Sequence, residues 1–398
     1  MIKQVKQGYS LAWVTNIAEI TQQDWDALAK PLTTPFLEWE WLNNIETSGS
    51  ATARTGWQPC HLTVWRSCSQ KLVAAAPLYI KSHSYGEFVF DSQWANLAYR
   101  LRLEYYPKLL GMSPFTPAVG YRFLVAPGED ENLITEIMVG EIDRFCDRNQ
   151  LSGCNFLFVD PDWREMMERH GYHSWLHYSY IWSNKGFNSF DDYLKMFTSN
   201  QRKNIKRERK AVEKVGLQMK VFAGEEIPPH LYPMIYRFYS STCDKFYWGS
   251  KYLTRKFFQQ LYPNYAHRVV LCAAYREDDD RHPVGMSFCL RKDEKMYGRY
   301  WGCLEEYDAL HFEACYYKPI DWAIANGVTT FDPGAGGSHK KRRGFPATAN
   351  HSLHRFRDRR MNQILQHYIG EINDMEAREI EAINNELPFN KQEIKFEI

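Results

Sequence analysis

The chain has 398 residues, of which 44% are hydrophobic and 24% are charged, and its formal net charge is +1. This length favours two domains over one compact core, and the near-neutral charge excludes a protein that binds nucleic acid over its whole surface. The nine cysteines form no CxxC pair, which argues against a zinc ribbon and fits reduced thiols. We therefore expect a cytoplasmic globular protein with no metal site and no inserted membrane segment.

Short strands and helices alternate through the first half of the chain. Apolar runs predict strands at 11–17, 61–65, 72–80, 122–127, 155–160 and 175–182. Apolar residues at helical spacing predict helices at 21–30, 131–149 and 161–170. Residues 81–91 read as a further hairpin arm that bends near Gly86.

The second half repeats this order. It begins with a long basic helical segment at 190–216 and continues with the strands RVVLCAAYRE, PVGMSFCLRK and MYGRYWGC. A helix that Pro319 kinks or delays follows, and two strands close the half. The pattern predicts two copies of one α/β unit, each with a mixed sheet. We place an N-terminal domain at 1–185, a C-terminal domain at 186–357 and an amphipathic helical tail at 358–398.

The stretch from Tyr297 to Gly344 carries most of the candidate chemistry. A neutral imidazole accepts protons readily near pH 7, whereas a carboxylate needs burial to do so. Glu313 has a second interpretation, because a carboxylate in a first helical turn stabilises the helix dipole. The candidate catalytic residues are Glu313, His339, Lys340 and His311.

Candidate binding residues surround these groups and recur in the first half. The glycines of GAGGSHKKRRGF permit a tight turn with exposed amides, and the basic residues after them indicate either an anion site or a solvated loop. In the first half a polar string would project to one side if 81–91 were extended, which indicates solvent or a cleft rather than core. The substrate-binding candidates are Lys81, His83, Tyr85, Glu87, Asp91, Tyr106, Lys108, Arg299, Trp301, Gly334, Gly336, Gly337, Arg343 and His354.

The segment QRKNIKRERK is a candidate phosphate-contacting helix. Its alternative interpretation is a solvated helix face balanced by Glu208 and Glu213. The nucleic-acid-binding candidates are Arg202, Lys203, Lys206 and Arg207.

Several blocks carry a resemblance to a known family. PLYIKSHSYGEFVFDSQWA, YYPKLLGMSPFTP, YGRYWG, LHFEACYY and GAGGSHKKRRGF resemble the FemAB-like predicted N-acyltransferases over about residues 10–360. The duplicated arrangement is similar to the Fem-type family, which moves amino acids from aminoacyl-tRNA onto peptidoglycan precursors. The resemblance implies an α/β (α+β) fold of tandem GNAT-like acyltransferase domains, with mixed sheets flanked by helices.

The resemblance also implies an N-acyltransferase that forms an amide on an amine acceptor, such as a muropeptide-like precursor or another small molecule. Aminoacyl-tRNA or acyl-coenzyme A would be its co-substrate, with no resident cofactor and with tRNA as a partner. Where the family reads GAQGEHK, this chain has Gly336 and Ser338 in place of Gln and Glu. A lost base at Ser338 would leave a non-catalytic recognition protein.

An acyl-coenzyme A-dependent GNAT acetyltransferase is the alternative enzyme. In such enzymes the coenzyme pyrophosphate rests on glycine-rich amides before the helix. The corresponding connection here is CLEEYDALHFE, which carries Glu305, Glu306 and Asp308. These carboxylates would repel a pyrophosphate, so the sequence favours the aminoacyl-tRNA donor.

Overall fold

The structure is a computed structural model that describes residues 3–6, 8–245 and 251–390. It divides into two compact units: a first of Met1–His177, Tyr252–Phe257 and Ala349–Ala377, and a second of Tyr178–Lys251, Phe258–Thr348 and Arg378–Ile398. The first unit thus recruits later segments of the chain. The domain borders placed at 185/186 and 357/358 stay a prediction.

The described residues form strands and helices in alternation. The strands are β1 (Lys3–Lys6), β2 (Tyr9–Val14), β3 (Trp57–Pro59), β4 (His61–Arg66), β5 (Lys71–Ala76), β6 (Leu78–Lys81), β7 (Lys108–Gly111), β8 (Leu124–Val125), β9 (Gly153–Phe156), β10 (His173–Tyr180), β11 (Trp182–Ser183), β12 (Leu217–Ala223), β13 (Val269–Arg276), β14 (Gly285–Lys292), β15 (Lys295–Cys303), β16 (Thr330–Asp332) and β17 (Ala347–Phe356). The helices are α1 (Gln22–Ala29), α2 (Trp39–Thr47), α3 (Ser92–Arg100), α4 (Glu131–Arg148), α5 (Pro161–Arg169), α6 (Phe190–Lys195), α7 (Ser199–Lys214), α8 (Leu231–Cys243), α9 (Arg255–Gln260), α10 (Leu310–Phe312), α11 (Lys318–Ala325) and α12 (Arg359–Asn385).

Two sheets organise the first unit. One has the strand order β1-β2-β4-β5-β8, and the other has the order β10-β17-β9-β7-β6-β3. The second sheet is mixed, because β7 pairs with β9 in parallel and with β6 antiparallel. The strand predicted at 72–80 is divided between the two sheets at Pro77, where the ring nitrogen has no hydrogen to donate to a ladder.

Two predicted elements are wrong. After Lys81 the chain leaves the sheet and residues 82–91 form a loop, with Gly86 and Phe88 at φ values of 82° and 59°. The segment predicted as one helix at 190–216 forms two helices, which are separated at Thr198. The Thr198 hydroxyl accepts a hydrogen bond from the amide of Gln201 at 3.4 Å. Threonine with extended backbone is a favourable N-cap, so the second helix restarts there.

One six-stranded sheet organises the second unit, in the order β11-β16-β15-β14-β13-β12. Strands β13, β14 and β15 are antiparallel neighbours, as predicted, and β16 pairs with β15 in parallel. The helix 310–325 connects those last two strands. Buried aromatic side chains fill the core of this unit, including Trp182, Tyr193, Phe197, Phe331 and Phe345.

The connecting helix contains a π-helical turn at Glu313–Tyr317, directly before Pro319. The amide of Lys318 donates to the carbonyl of Glu313, so the next amide in line for the carbonyl of Ala314 belongs to Pro319, which has none. The Ser287 hydroxyl donates to that open carbonyl at 2.6 Å. The irregularity next to Pro319 is thus a π-turn, a feature frequent at functional sites.

Candidate functional site

A cavity of about 430 Å³ lies in the second unit, on strand β15. Its walls come from β14, β15, the helix 310–325 and the chain that follows β16. Most of the predicted catalytic and substrate-binding residues of the second unit meet here, and we call it the strand cavity. The predicted residues that line it are His311, His339, Lys340, Arg299, Trp301, Gly336 and Gly337.

A β-bulge in β15 brings neighbouring side chains to this cavity. Strand pairing passes from Phe288 opposite Tyr300 to Cys289 opposite Gly298, so Arg299 is an extra residue on its strand. The sequence predicts that Arg299 and Tyr300 face opposite sides, yet both line the strand cavity. The bulge explains the difference, since an extra residue breaks the alternation of side chains.

Arg299 is held by a carboxylate that the sequence analysis missed. Its Nη2 lies 2.8 Å from Oδ2 of Asp332, and only 2% of the Arg299 side chain is exposed. Oδ1 of the same aspartate accepts a hydrogen bond from the amide of Gly334 at 2.8 Å. Asp332 therefore ties strand β15 to the first glycine of the turn. The sequence does give one sign of this role, because Asp332 lies directly before the glycine-rich turn.

Lys340 closes the glycine-rich turn from the other side. Its Nζ donates to the carbonyl oxygens of Gly334 at 2.6 Å and Ala335 at 3.0 Å, and the residue is 2% exposed. Burial lowers the pKa of Lys340 to about 8. Gly334 has a φ of 91°, and a Cβ there would lie 2.9 Å from the carbonyl oxygen of Gly298, so this position requires glycine.

Two imidazoles meet in the strand cavity. The ring centroids of His311 and His339 are 5.5 Å apart, and Nε2 of His339 lies 2.9 Å from the hydroxyl of Tyr316. Tyr316 was also missed by the sequence analysis, although it follows on the same helix. Burial, together with the nearby Arg343 and Lys340, lowers the pKa of His339 to about 4. Burial and the same cations lower the pKa of His311 to about 4.

Both imidazoles should therefore be uncharged at neutral pH, and we expect titration midpoints near 4 rather than near the ordinary value of about 6.5. The measurement is an NMR titration of the histidine ring protons, with His311→Gln and His339→Gln used to assign the two resonances. Midpoints above about 6 for both rings would contradict the burial that the structure gives them.

Glu313 lies elsewhere. Its carboxylate does not line the strand cavity; both oxygens accept hydrogen bonds from Arg209, from Nε and Nη2, each at 3.1 Å. Burial raises the pKa of Glu313, and Arg209 opposes that rise. The structure therefore brings His311, His339 and Lys340 together and leaves Glu313 in an ion pair with Arg209 outside the cavity lining.

Removing this ion pair should cost stability. We expect Glu313→Gln to lower the free energy of unfolding by about 1–3 kcal/mol, since it replaces a charged, bidentate hydrogen-bonded pair. The cost should stay in this range because Arg209 keeps a second carboxylate, that of Asp321, at 3.5 Å. Urea unfolding followed by tryptophan fluorescence measures the change; an unaltered midpoint would contradict the structural role.

A second cavity, of about 580 Å³, shares His339 with the strand cavity. We call it the basic cavity, because four cationic side chains line it. Among the described residues, neither Arg207 nor Arg342 forms an ion pair. The cationic lining residues are Arg207, Lys341, Arg342 and Arg343.

Only some of the predicted anion-binding residues line the basic cavity. Arg343 is committed to the fold: Nη2 lies 2.9 Å from Glu208, and the guanidinium lies 3.2 Å from the ring centroid of Phe312. Arg207 lines the basic cavity, whereas the other nucleic-acid candidates lie on the same helix, α7, outside its lining. Those are Arg202, Lys203 and Lys206.

Three residues of the polar string of the first unit, Lys81, Glu87 and Asp91, are buried, which corrects the expectation that they face solvent or a cleft. Nζ of Lys108 lies 2.8 Å from Glu87 and 2.5 Å from Asp91, and Nζ of Lys81 lies 3.7 Å from Glu87. All four side chains are at most 5% exposed. Because 82–91 is a loop rather than a strand, its acids fold back onto the lysines of β6 and β7. We call these four residues the buried ion cluster.

The remaining predicted residues of the first unit surround this cluster or lie elsewhere in the unit. The hydroxyl of Tyr106 is 2.8 Å from that of Ser84, which also receives a hydrogen bond from Lys108. His83 is half-buried and Tyr85 is 60% exposed. His354 is buried, its Nε2 is 2.8 Å from the Ser352 hydroxyl, and burial lowers its pKa to about 3. None of the residues predicted from the first unit lines the strand cavity or the basic cavity.

The described ranges, 3–6, 8–245 and 251–390, hold neither a metal-binding cluster nor a membrane-spanning helix. No group of three or more His, Cys, Asp or Glu side chains there is arranged to hold a metal ion. No helix within the same ranges has the length and apolar character needed to span a membrane.

Comparison with known families decides the relationship. The family model for FemAB-like proteins, described as peptidoglycan biosynthesis and recognition, matches residues 16–391. The chain belongs to the FemAB-like family. No curated protein matches this FemAB-like chain.

Solved structures support the same fold. FemX superposes with a TM-score of 0.50 at 11% identity, covering 89% of this chain and 99% of FemX. L-PGS from Bacillus licheniformis gives a TM-score of 0.50 at 11% identity and covers 86% and 98% of the two chains. The C-terminal domain of a putative lysylphosphatidylglycerol synthetase from Agrobacterium fabrum gives a TM-score of 0.50 at 6% identity, with 89% and 95% covered. The predicted α/β fold with mixed sheets flanked by helices is confirmed.

Proposed function

We propose that the second unit catalyses transfer of an acyl group to an amine in the strand cavity, with His339 relaying the proton. The observation that carries this proposal is the convergence of an uncharged imidazole, a glycine-rich turn and strand β15 on one cavity. Membership of the FemAB-like family supports a transferase role. The acceptor that we propose is the amine of a peptidoglycan precursor peptide.

The proposed reaction conserves protons. The acceptor nitrogen attacks the acyl carbonyl carbon, the carbon–nitrogen bond forms, and the bond from that carbon to the leaving oxygen breaks. A proton leaves the nitrogen and ends on the leaving oxygen. A single group that takes up this proton and then gives it back is therefore enough, and no base is consumed overall. In the tautomer whose Nε2–H donates to the Tyr316 hydroxyl oxygen, Nδ1 of His339 carries the lone pair for this relay.

The backbone next to His339 supports that role. Its ring packs on Gly337, where a Cβ would lie 2.5 Å from Cε1 of the imidazole. Lys340 and Asp332 act as positioning residues, because they fix the two sides of the glycine-rich turn. Ser338, which replaces the family's usual glutamate, lines the basic cavity beside His339. A base at position 338 is therefore unnecessary to the proposed relay.

The basic cavity suits the phosphate groups of an acyl donor. Arg207 and Arg342 offer guanidinium groups that bind phosphate in a bidentate manner. A bound phosphate would also offset the positive charge of Arg343 that lowers the pKa of His339, and so raise the basicity of the relay. Donor binding would thus activate the imidazole.

Aminoacyl-tRNA remains the donor that we propose, with acyl-coenzyme A as the alternative. The acidic connection that argued against coenzyme A is less repulsive than its sequence indicates. Glu305 lies 2.7 Å from Arg276, and Glu306 lies 3.0 Å from Lys245. The choice of donor therefore rests on the basic cavity and on the Fem-type resemblance.

A reconstituted assay tests the function. The protein is incubated with a muropeptide amine and either aminoacyl-tRNA or acetyl-coenzyme A, and the amide product is detected by mass spectrometry. We expect product with aminoacyl-tRNA. Product with acetyl-coenzyme A alone would replace the proposed donor, whereas binding of the muropeptide without product from any donor would indicate a recognition protein.

A matched pair of variants tests the basic cavity. We expect Arg207→Gln to raise the KM for the donor about tenfold, because it removes one charge-assisted contact to phosphate. Lys203→Gln removes the same charge from the same helix outside the cavity and should change KM less than twofold at physiological salt. Equal effects of the two substitutions would indicate general attraction rather than a phosphate site.

A further inference from the structure

The lining of the strand cavity carries positive charge and, among the residues that the structure describes, no carboxylate. Its cations are Lys245, Arg299 and Lys340. Arg299 pairs with Asp332, and Lys245 pairs with an acid, Glu306, that also lies outside the lining. Lys340 forms no ion pair with any described residue and donates to backbone carbonyls instead. A ligand in this cavity therefore meets cations and no opposite charge.

The backbone carbonyl oxygens next to the strand cavity already accept hydrogen bonds from the protein. Nη1 of Arg299 donates to the carbonyl of Gly298 at 2.8 Å. The Thr242 hydroxyl donates to the carbonyl of Trp301 at 2.5 Å, and the Ser287 hydroxyl donates to a carbonyl of the π-turn. An ammonium group brings three N–H donors and no acceptor, so in this cavity it would compete with the donors of the protein.

Lys340 shows how these surroundings treat an alkylamine. Burial lowers its pKa from an ordinary value near 10.5 to about 8, and the charge of Arg299 lowers it further while that of Asp332 opposes the change. A charge that is taken out of water without an opposite charge beside it is costly. A second alkylammonium group in the same cavity would meet this cost and also the repulsion of Lys340 itself.

The other titratable side chains of the lining are uncharged near neutral pH. Burial lowers the pKa values of His311 and His339 to about 4. Burial raises the pKa values of Cys289, Cys315, Tyr300 and Tyr316. The charge of the lining is therefore constant between pH 6 and pH 7, and a change of amine binding over this range reports the amine.

We propose that the strand cavity binds its acceptor amine as the free base, and that the acceptor is a weakly basic amine, the α-amine of a peptide, rather than the side-chain amine of a lysine. This inference rests on the proposed function, which places the acceptor in the strand cavity. The free base is also the form that carries the attacking lone pair, so attack on the acyl carbon can follow binding directly.

The preference follows from the ordinary basicity of the two amines. An α-amine has a pKa of about 7.7–8.0 and a lysine side chain one of about 10.4. At pH 7 roughly a tenth of the α-amine is therefore free base, but less than about a thousandth of the lysine amine. A cavity that excludes the ammonium form must draw on these fractions, so the α-amine binds with the higher apparent affinity.

Isothermal titration calorimetry of the full chain with two isomeric peptides tests the proposal. Both are Ala-Lys-Ala amides: one is acetylated on the α-amine and keeps the lysine amine, and the other is acetylated on the lysine amine and keeps the α-amine. Titrations in two zwitterionic buffers of different ionisation enthalpy count the protons released. We expect release of about one proton per lysine amine bound at pH 7, and at least tenfold tighter binding of the α-amine isomer. The affinity of either isomer should rise about tenfold from pH 6 to pH 7.

The outcomes separate this inference from the proposed function. Binding without proton release, at an affinity that is constant from pH 6 to pH 7, would show that the cavity holds the ammonium form. That result would overturn the inference and leave acyl transfer in the strand cavity standing. An absence of binding by both isomers would remove the acceptor from this cavity and overturn both.

A matched pair of variants at Gly336 localises the effect. Gly336 lines the strand cavity with a φ of 65°, and a Cβ there would meet no atom within 4 Å. Aspartate and asparagine both tolerate this left-handed backbone and differ in charge. Gly336→Asp adds the missing carboxylate, so at pH 6 it should bind the α-amine isomer at least tenfold more tightly than Gly336→Asn does. The asparagine variant should keep the tenfold rise from pH 6 to pH 7. Equal behaviour of the two variants would place the peptide outside the strand cavity and overturn the proposal.

Discussion

Lys108→Met should lower the free energy of unfolding by about 3–5 kcal/mol at pH 7, the usual cost of leaving buried charges without their partner. Lys108 is the member of the buried ion cluster that contacts both carboxylates, those of Glu87 and Asp91. The substitution keeps the apolar stem of the side chain and removes the ammonium group, with its charge and its hydrogen bonds to Glu87, Asp91 and Ser84. Urea unfolding followed by tryptophan fluorescence and circular dichroism measures the loss.

The pH dependence of this loss identifies its cause. Lys108 lowers the pKa of Asp91 and opposes the rise that burial gives the pKa of Glu87. Without Lys108 both carboxyls should take up protons more readily in the folded state, so the deficit should shrink from pH 7 to pH 5. A deficit that is constant over this range would indicate lost packing instead.

Lys81→Met is the matched control within the same cluster. Burial lowers the pKa of Lys81 to about 7, so about half of these amines are uncharged at pH 7 and the contact with Glu87 is longer, at 3.7 Å. A lysine whose folded pKa is lowered binds fewer protons than the unfolded chain between about pH 7 and 10.5, so the cost of its burial grows as the pH falls through that window and is fully present below it. Lys81→Met removes this cost together with the contact to Glu87, so it should destabilise the protein less than Lys108→Met does.

Elements with strong local signals could be predicted from the sequence. The helix predicted at 21–30 is α1, with Thr21 as its N-cap, and the helix predicted at 131–149 is α4. The three antiparallel strands of the second unit also match, because each is a long apolar run between turns. The spacing of apolar residues along the chain was sufficient to predict these elements, although not their end residues.

The buried ion cluster could not be predicted in the same way. Its acids lie in the loop 82–91 and its lysines lie on β6 and β7, so only the folded chain brings the opposite charges together. Polar residues rank as exposed in any local rule, and the exception depends on partners that are distant in sequence. The Pro77 break was visible, but its consequence, the transfer of the chain to a second sheet, was not.

In the candidate site, too, the residues that could be predicted differ from those that could not in whether their roles depend on tertiary contacts. His311, His339, Lys340 and the glycine-rich turn were found because they cluster along the chain. Asp332 and Tyr316 were missed because their roles arise from contacts with Arg299 and His339. Glu313 was included because a buried carboxylate could act as a base, yet the π-turn and the pairing with Arg209 place its carboxylate outside the cavity lining.

His339→Gln should lower kcat for acyl transfer by about 10²–10⁴-fold, the usual contribution of a positioned proton relay. Glutamine retains a hydrogen-bonding group near the Tyr316 hydroxyl but cannot take and return a proton at neutral pH. The KM for the donor should change less than threefold, because the cations of the basic cavity remain. Steady-state rates with the donor identified in the reconstituted assay measure both constants.

Two further variants separate the relay from its surroundings. Glu313→Gln should keep kcat within about twofold in its folded fraction, because its carboxylate belongs to the Arg209 ion pair. His311→Gln should lower kcat less than His339→Gln, since within the described part of the chain His311 has no hydrogen bond comparable to that between Nε2 of His339 and Tyr316 at 2.9 Å. A larger loss of kcat in His311→Gln than in His339→Gln would assign the relay to His311. A loss of less than tenfold in both variants would indicate that neither histidine is the relay and that the amine loses its proton to solvent.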